Sequence, residues 1–339
     1  MVGEAPEPAA AVTSAEAPEL ASAGTSSQAT LQASVPKAAP PLFSLVALLR
    51  KALPGGDSLP RVRVVDVGAM FLSEAEDVWG PLRRLGLCES VVGFEPNTEE
   101  CDKLNQLHQS SASTAPSSTA DAACSVKFLP HALGDGSFGE FRLTSAPMTS
   151  SMLEPNIPLL RRFVQLEEVT TVVSREKVQT RRLDDLVPEL GGRVDFLKLD
   201  VQGYELPVLQ GAENTLREVL VLHTEVEFVE MYEKQPLFAE VDQFLRRNGF
   251  VFHRFASIHG RPMKPIHLLA NPLQPISQQL WADAVYVRDF WDLKDHSTAE
   301  LLRTALILHE IYHSYDAVHH VLDKLDSSVA QQYLKMVLT

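Results

Sequence analysis

Short apolar segments alternate with helical segments along most of this 339-residue chain, and this alternation restricts the fold more than any other feature. A βαβ rhythm of this kind is typical of a parallel sheet covered by helices on both faces. Strands are predicted at residues 62–67, 90–96, 126–135, 194–200, 219–228 and 250–255. Helices are predicted at residues 41–53, 75–85, 98–108, 205–217 and 238–248. The sequence therefore predicts an α/β fold with a mostly parallel, doubly wound sheet.

Two further regions have a strand pattern of a different kind. Residues 138–143 and 168–182 alternate polar and apolar side chains over short runs, which predicts antiparallel hairpins inserted beside the sheet. The late segment ADAVYVR, residues 282–288, is predicted to be an antiparallel strand at the edge of the sheet. We assign residues 41–290 to this one domain.

The turn after the first strand contains a single glycine. In RVRVVDVGAMF, residues 61–71, Gly68 follows the strand, whereas a dinucleotide-binding turn has the pattern G-x-G-x-x-G. That pattern brings backbone close to a pyrophosphate, so its absence predicts a ligand without phosphates. A lone D-x-G is also typical of an ordinary tight turn.

Acidic residues follow several of the predicted strands, at the edge where such sheets bind ligands. They are Asp66, Glu95, Asp135, Asp200, Glu225 and Glu227. Glu95, which ends the second strand, is placed to accept hydrogen bonds from both hydroxyls of a ribose. A ribose ligand without phosphates points to S-adenosylmethionine, whose positive sulfonium suits a carboxylate-rich site.

The composition excludes some classes of function. The net charge is −14, from 44 acidic and 30 basic residues, which argues against nucleic-acid binding. No apolar run approaches the ~20 residues that a membrane span needs. Cys88, Cys101 and Cys124 lack the spacing of metal ligands, and free thiols are typical of a reducing compartment, so we expect a cytoplasmic protein.

Two segments are of low complexity. Residues 1–40 contain mainly Ala, Pro, Ser, Thr and Glu without an aromatic residue, and they are predicted to be disordered. They have neither the apolar core of a signal peptide nor the arginines of a transit peptide. Residues 110–125 are predicted to form a floppy surface loop.

Several motifs, taken in order, resemble the FkbM-type S-adenosylmethionine-dependent methyltransferases. They are VVDVGA, VVGFEP, LPHALGDG, TSSMLEPN, TRRLDDL, DFLKLDVQGYELPVLQGA, TEVEFVEMYEKQPLF and FLRRNGFVFHRF, within residues 62–288. The resemblance implies a Rossmann-like methyltransferase sheet and methyl transfer to a hydroxyl oxygen of a small molecule or glycan. We expect the cofactor to be contacted by Asp66, Gly68, Ala69, Glu95, Ala132, Leu133, Asp135 and Asp200.

Methyl transfer to an alcohol needs a base within hydrogen-bond reach of the hydroxyl. Asp200 is our first candidate because it ends the fourth parallel strand, and Glu205 and Glu225 are the alternatives. His131 is a weaker candidate. Asp200 alternatively caps the next helix or orients Lys198, or it binds Mg²⁺ together with Glu225. We assign no residue to a metal.

The C-terminal segment, residues 291–339, is predicted to be a helical extension that contains the zinc-peptidase pattern H-E-x-x-H. His309 and His313 would share one helix face, with Glu310 as the base and His319 as a third ligand. Against this reading, Asp316 replaces the glycine of the full zinc pattern and one apolar stripe continues through the segment. The histidines are more simply the solvated side of an amphipathic helix that packs on the sheet domain or on a second copy in a homodimer.

The leading hypothesis is thus an S-adenosylmethionine-dependent O-methyltransferase. The alternatives are a non-catalytic methyltransferase-like interaction protein and, less favoured, a zinc metallopeptidase built on the tail.

Overall fold

The computed structural model describes residues 43–53, 58–70, 77–114 and 124–339, and for residues 109–114 it describes only the backbone. The segment predicted to be disordered, residues 1–40, lies outside the described residues. So do residues 115–123, which form most of the predicted surface loop, and residues 75–76 at the start of the predicted second helix.

Nine strands and eleven helices are present in the described part of the chain. The strands are β1 Val62–Val67, β2 Cys88–Phe94, β3 Ser125–Leu129, β4 Phe138–Thr144, β5 Val172–Gln179, β6 Phe196–Leu199, β7 Val221–Glu227, β8 Phe250–His259 and β9 Trp281–Arg288. The helices are α1 Leu45–Ala52, α2 Gly80–Arg84, α3 Thr98–Thr114, α4 Ile157–Leu160, α5 Leu166–Val169, α6 Val187–Leu190, α7 Glu205–Gln210, α8 Phe238–Arg247, α9 Thr298–Glu310, α10 Tyr315–Leu325 and α11 Ser327–Val337. Helix α3 continues to Thr114, five residues into the segment 110–125 that was predicted to be a loop.

Seven strands form one twisted sheet in the order β3-β2-β1-β6-β7-β9-β8. Neighbouring strands from β3 to β7 are parallel, and β9 is antiparallel to both β7 and β8. The predicted α/β class with a mostly parallel sheet is confirmed.

The prediction that residues 282–288 lie at the sheet edge is wrong, although their antiparallel direction is correct. Strand β9 lies between β7 and β8, and β8 is the edge strand. Burial accounts for this order. Ala282 and the run Ala284–Val287 of β9 are fully buried, whereas most side chains of β8 are only half-buried. An apolar strand is stable with a neighbour on each side, and the more polar strand occupies the edge.

Helices cover both faces of the sheet, as predicted. On one face, α1 and the three C-terminal helices pack against side chains such as Val64, Phe196 and Val285. On the other face, α6, α7 and α8 pack against alternate side chains of the same strands, including Val65 and Leu197. This division follows from the period of two along each strand.

The predicted hairpin region is also present. Strands β4 and β5 pair antiparallel and form a separate two-stranded sheet. The loop after β4 bends back onto the main sheet, where the hydroxyl of Ser151 donates to the backbone oxygen of Gln202 at 2.7 Å. The inserted region therefore covers the carboxyl ends of the central strands.

The C-terminal extension is helical, as predicted, but it is not one continuous amphipathic helix, and on its predicted solvated side His309 is buried whereas Asp316 and His320 are exposed. The chain breaks between α9 and α10, where His313 has a φ of 51°. His309 is 0% exposed and contacts the hydroxyl of Tyr333 at 2.9 Å and the backbone oxygen of Phe43 at 3.1 Å. Both ring nitrogens of His309 are therefore engaged within the core, and His309 and His313 do not share a helix, which removes the geometric basis of the zinc reading.

The helices in the described part of the chain are all too short or too polar to span a lipid bilayer.

Candidate active site

A pocket opens at the carboxyl ends of the parallel strands β1, β2, β6 and β7, under the inserted β4–β5 region. Its polar lining includes Glu95, Asn97, Glu100, His131, Lys198, Asp200, Gln202, Glu225 and Arg261. Its apolar lining includes Phe94, Phe141, Leu143, Met148, Met152, Tyr232 and Trp281. We call the carboxylates of this lining the acidic wall and its apolar and aromatic side chains the apolar wall; two cations, Lys198 and Arg261, also line the pocket.

Gly68 occupies a position where a side chain does not fit. Its φ is +75°, and a Cβ atom there would lie 1.8 Å from the backbone oxygen of Asp200. The amide nitrogens of Gly68 and Ala69 both donate to the oxygen of Phe94, at 3.0 and 3.1 Å. This glycine lets the ends of β1, β2 and β6 approach closely at the floor of the pocket.

Glu95 is held at the end of β2 with its carboxylate in the pocket wall. Its side chain is buried, and Oε1 accepts a hydrogen bond from the amide of Asn97 at 2.8 Å. Burial raises the pKa of Glu95 to about 7, and the amide of Asn97 opposes that rise. The backbone thus fixes the carboxylate in position for a ligand that donates hydrogen bonds.

Lys198 links the first and fourth parallel strands of the sheet. Its Nζ lies 3.1 Å from Oδ1 of Asp66, 3.2 Å from the oxygen of Gly68 and 3.9 Å from Oδ2 of Asp200. Burial would lower the pKa of Lys198, but the carboxylates of Asp66 and Asp200 raise it above its ordinary value. Asp66 also accepts from the indole nitrogen of Trp79 at 3.0 Å. The carboxylate of Asp66 is therefore ion-paired and hydrogen-bonded to side chains of the protein itself.

Asp200 and Glu225 are joined through the side chain of Gln202. Nε2 of Gln202 donates to Oδ1 of Asp200 at 2.9 Å and to Oε2 of Glu225 at 2.6 Å. Asp200 is the more open of the two carboxylates, with 28% of its side chain exposed. Burial, together with neighbouring acids, raises the pKa of Glu225 well above its ordinary value. The raised pKa of Glu225 and the exposure of Asp200 both favour Asp200 over Glu225 as the predicted base, and this role stays a prediction.

Glu205 and Glu227 lie behind this pair. Oε1 of Glu205 accepts from the amides of Val201 and Gly203, at 2.8 and 3.3 Å, and so fixes the loop after β6. Burial raises the pKa of Glu205 to about 7 and the pKa of Glu227 well above its ordinary range. In the described part of the chain, Glu205, Glu225 and Glu227 form the group of carboxylates that could hold a metal ion, and Asp200 is not part of it.

The structure brings most of the predicted site residues to one pocket. Gly68, Glu95, Ala132, Leu133, Asp200 and Glu225 line it. Asp66, Ala69, Asp135 and Glu205 do not: Ala69 packs against Cys101 and Phe128, and Asp135 accepts from the amide of Ser137 at 2.9 Å. The individual roles of all these residues stay predictions.

Sequence reasoning missed the apolar wall and the amide that joins the carboxylates. Phe141 and Met152 belong to the inserted region, whose residue types are ordinary for any hairpin. Tyr232 donates to the oxygen of Thr149 at 2.7 Å and thereby ties the loop after β7 to this wall. The sequence feature that could have identified Tyr232 and Gln202 is their position, because both residues follow the ends of strands.

The mostly parallel sheet, with the antiparallel strand β9 between β7 and β8 and a pocket at the carboxyl ends of its parallel strands, is a Rossmann-like fold of the kind found in methyltransferases. The chain belongs to the methyltransferase FkbM domain family, whose model matches residues 66–252.

The chain is similar to several named proteins. A 67-residue stretch is 43% identical to the 2-O-methyltransferase NoeI of Sinorhizobium fredii and covers 19% of this chain and 28% of that relative. The crystal structure of methyltransferase FkbM from Methylobacillus flagellatus superposes with a TM-score of 0.38 at 15% identity, over 70% of this chain and 45% of that chain. The magnesium protoporphyrin IX methyltransferase of Synechocystis, solved with bound S-adenosylmethionine, gives a TM-score of 0.35 at 14% identity, over 73% of this chain and 77% of that chain.

Proposed function

We propose that this chain is an S-adenosylmethionine-dependent methyltransferase that methylates a hydroxyl oxygen of a small molecule or glycan. The observation that carries the proposal is the pocket at the carboxyl ends of β1, β2, β6 and β7, with Glu95 in its wall at the end of β2. Membership of the FkbM methyltransferase family supports it. The name of the similar 2-O-methyltransferase supports oxygen as the methylated atom.

The residues present fit this cofactor. Glu95 would accept the ribose hydroxyls, since its carboxylate is oriented by the amide of Asn97. The carboxylates of Glu100 and Asp200 in the acidic wall would favour a ligand with a positive charge. When bound, S-adenosylmethionine supplies a methyl group already activated by its sulfonium.

The chain's own contribution is then to orient the acceptor, exclude water and take up a proton. The apolar wall that includes Phe141, Met148 and Met152 would shield the reacting atoms from water. Asp200 would accept the proton of the acceptor hydroxyl, and Gln202 would hold the Asp200 carboxylate through its 2.9 Å hydrogen bond. Orientation of this kind lowers the activation barrier of a two-substrate reaction by several kcal/mol.

The cofactor assignment is tested by calorimetry on Glu95→Ala. Loss of charge-assisted hydrogen bonds to the ribose should weaken S-adenosylmethionine binding by about 1.5–3 kcal/mol. Glu99→Ala is the matched control, because Glu99 is exposed on the next helix and does not line the pocket. Equal affinity of a folded Glu95→Ala protein and wild type would contradict the assignment.

The reaction is tested by incubating metabolite and glycan extracts with the protein and S-adenosylmethionine and searching for products heavier by one methyl group. Methylated products that disappear with Glu95→Ala would support the proposal and identify the acceptor. Failure of the wild-type protein to bind S-adenosylmethionine would instead favour the non-catalytic alternative, in which the cofactor has been lost and the C-terminal helices serve as an interaction module.

A further inference from the structure

Three buried glutamate side chains meet at the inner end of the pocket. Glu205, Glu225 and Glu227 are 1%, 7% and 1% exposed. One carboxylate oxygen from each lies within 4.8 Å of the others. They come from two elements, because Glu205 begins α7 whereas Glu225 and Glu227 end β7 on the same face of the sheet.

The described part of the chain provides no ion-pair partner for these three carboxylates. Lys198, the nearest buried ammonium to the strand ends, forms its ion pairs with Asp66 and Asp200. Buried carboxylates without a cationic partner are strongly disfavoured when ionised, and like charges placed together add to this cost. The cluster therefore favours any ligand that carries positive charge.

The hydrogen bonds around the cluster indicate where such a ligand would bind. Glu205 and Glu225 each have an oxygen held by protein donors, namely the amides of Val201 and Gly203 and the side chain of Gln202. Oε1 of Glu227, in contrast, is buried without a hydrogen bond of standard geometry, and the side-chain amide of Gln235, which acts to lower the pKa of Glu227, is the donor beside this carboxylate. A buried carboxylate oxygen without such a hydrogen bond is rare, and within a group of three converging carboxylates it indicates a cation ligand.

The distances between the three carboxylate oxygens limit the size of the cation that they could bind together. Two oxygens bound to one ion are separated by at most twice the metal–oxygen distance, which is about 4.6–5.2 Å for Ca²⁺ and about 4.0–4.2 Å for Mg²⁺. All three separations are at most 4.8 Å, which is within the limit for Ca²⁺, whereas Mg²⁺ would need separations of no more than about 4.2 Å. Because all the donor atoms are oxygens, soft metal ions are not the ions that this site would prefer.

We propose that Glu205, Glu225 and Glu227 form a buried binding site for a hard divalent cation of the size of Ca²⁺. The ion joins the start of α7 to the end of β7 and neutralises the carboxylates behind the pocket. Access is through the pocket, since Glu225 contributes to its wall. The site does not depend on the proposed methyl transfer, and its test uses no cofactor.

The test is calorimetric titration of the chelator-treated full chain with Ca²⁺ and, separately, with Mg²⁺, together with thermal unfolding. We expect saturable binding of one Ca²⁺, weaker binding of Mg²⁺, and a higher melting temperature with Ca²⁺ because the ion binds only the folded state. Glu227→Gln should raise the dissociation constant on the order of 10–100-fold, the range seen even for outer partners of a metal. Glu233→Gln, at an exposed position on the following loop, should bind as wild type does.

Absence of saturable binding of either ion to wild type, or unchanged Ca²⁺ affinity in Glu227→Gln, would overturn the proposal. If Glu227→Gln does not fold, the site is tested by the luminescence of Tb³⁺ bound in place of Ca²⁺. Trp281 pairs with Glu227 across β7 and β9, so Tb³⁺ emission sensitised by tryptophan should fall in Trp281→Phe and persist when the exposed Trp291 is replaced by Phe. Lack of sensitised emission in wild type, or its persistence in Trp281→Phe, would count against the site.

Discussion

At the scale of single residues, Gln202 has the most unusual conformation in the pocket. Its φ of 54° is in the left-handed region, which costs a residue other than glycine of order 1 kcal/mol or more. The hydroxyl of Ser151 donates to its backbone oxygen, and its side chain donates to Asp200 and Glu225. The strained backbone thus places one amide between two carboxylates, whose relative position it fixes.

The role of Asp200 is tested by Asp200→Asn, which keeps the shape and the hydrogen bond but cannot accept a proton. Cofactor affinity should change little, while turnover with an identified acceptor should fall about 10²–10⁴-fold, the usual contribution of a positioned base. The measurements are steady-state kinetics, calorimetry and melting temperature.

Asp185→Asn is the matched control for this substitution, because Asp185 is exposed and lies outside the pocket. Near-normal turnover of Asp200→Asn would eliminate Asp200 as the base and leave it the role of a capping or orienting residue. A loss of stability of about 1–2 kcal/mol with normal turnover would indicate capping alone.

Sequence reasoning found the carboxylates of this site better than it found their neighbours. Glu95 and Asp200 were predictable because the last residue of a parallel strand lies at the sheet edge where ligands bind. The same rule selected Asp66, whose side chain instead bonds Lys198 and Trp79. Gln202 depends on the path of one loop, and a φ above zero at a glutamine has no signal in the sequence.

At the scale of elements, the C-terminal helices are part of the domain core. Leu301, Ala305 and Leu308 of α9 pack with α1 and with β-strand residues in one apolar cluster. The sequence predicted one amphipathic helix because the apolar stripe continues across the break. The turn itself contains neither glycine nor proline, and it is held by a bond from the amide of Ser314 to the oxygen of Leu308 at 3.1 Å.

The packing of this extension is tested by Leu306→Ala in α9, where the side chain is fully buried. Removing it leaves a cavity, and the free energy of unfolding should fall by about 2–5 kcal/mol. Leu338→Ala, at a position that is 77% exposed, should change stability by at most about 0.5 kcal/mol. Chemical denaturation measures both values. Similar, small effects of the two substitutions would mean that α9 is not integral to the core.

At the scale of the whole molecule, acidic residues outnumber basic ones both over the chain and in the pocket. The net charge is −14, and the pocket lining has four carboxyl groups, Glu95, Glu100, Asp200 and Glu225, against the two cations Lys198 and Arg261. Such an excess attracts cations, and salt screens the attraction over distances of about 10 Å at 0.1 M.

We therefore expect S-adenosylmethionine, which carries a net positive charge, to bind more weakly as salt is raised. Between low salt and about 1 M salt, its affinity should fall roughly threefold more than that of S-adenosylhomocysteine, which has lost the sulfonium charge. Parallel calorimetric titrations of the two ligands provide the comparison. Identical salt dependence would show that the acidic wall does not contact the sulfonium.

The place of β9 in the sheet has a consequence for the order in which the chain folds. During synthesis β7 and β8 leave the ribosome before β9, yet each of them pairs with β9 and not with the other. The hydrogen-bonding edge of β7, a strand whose residues are all buried in the folded domain, is therefore unpaired until Trp281–Arg288 has emerged, and an unpaired edge of this kind is prone to associate with other chains. The family match itself ends at residue 252, before β9 begins. A fragment cut at that boundary would retain the pocket's strand ends but would expose the edge of β7 permanently.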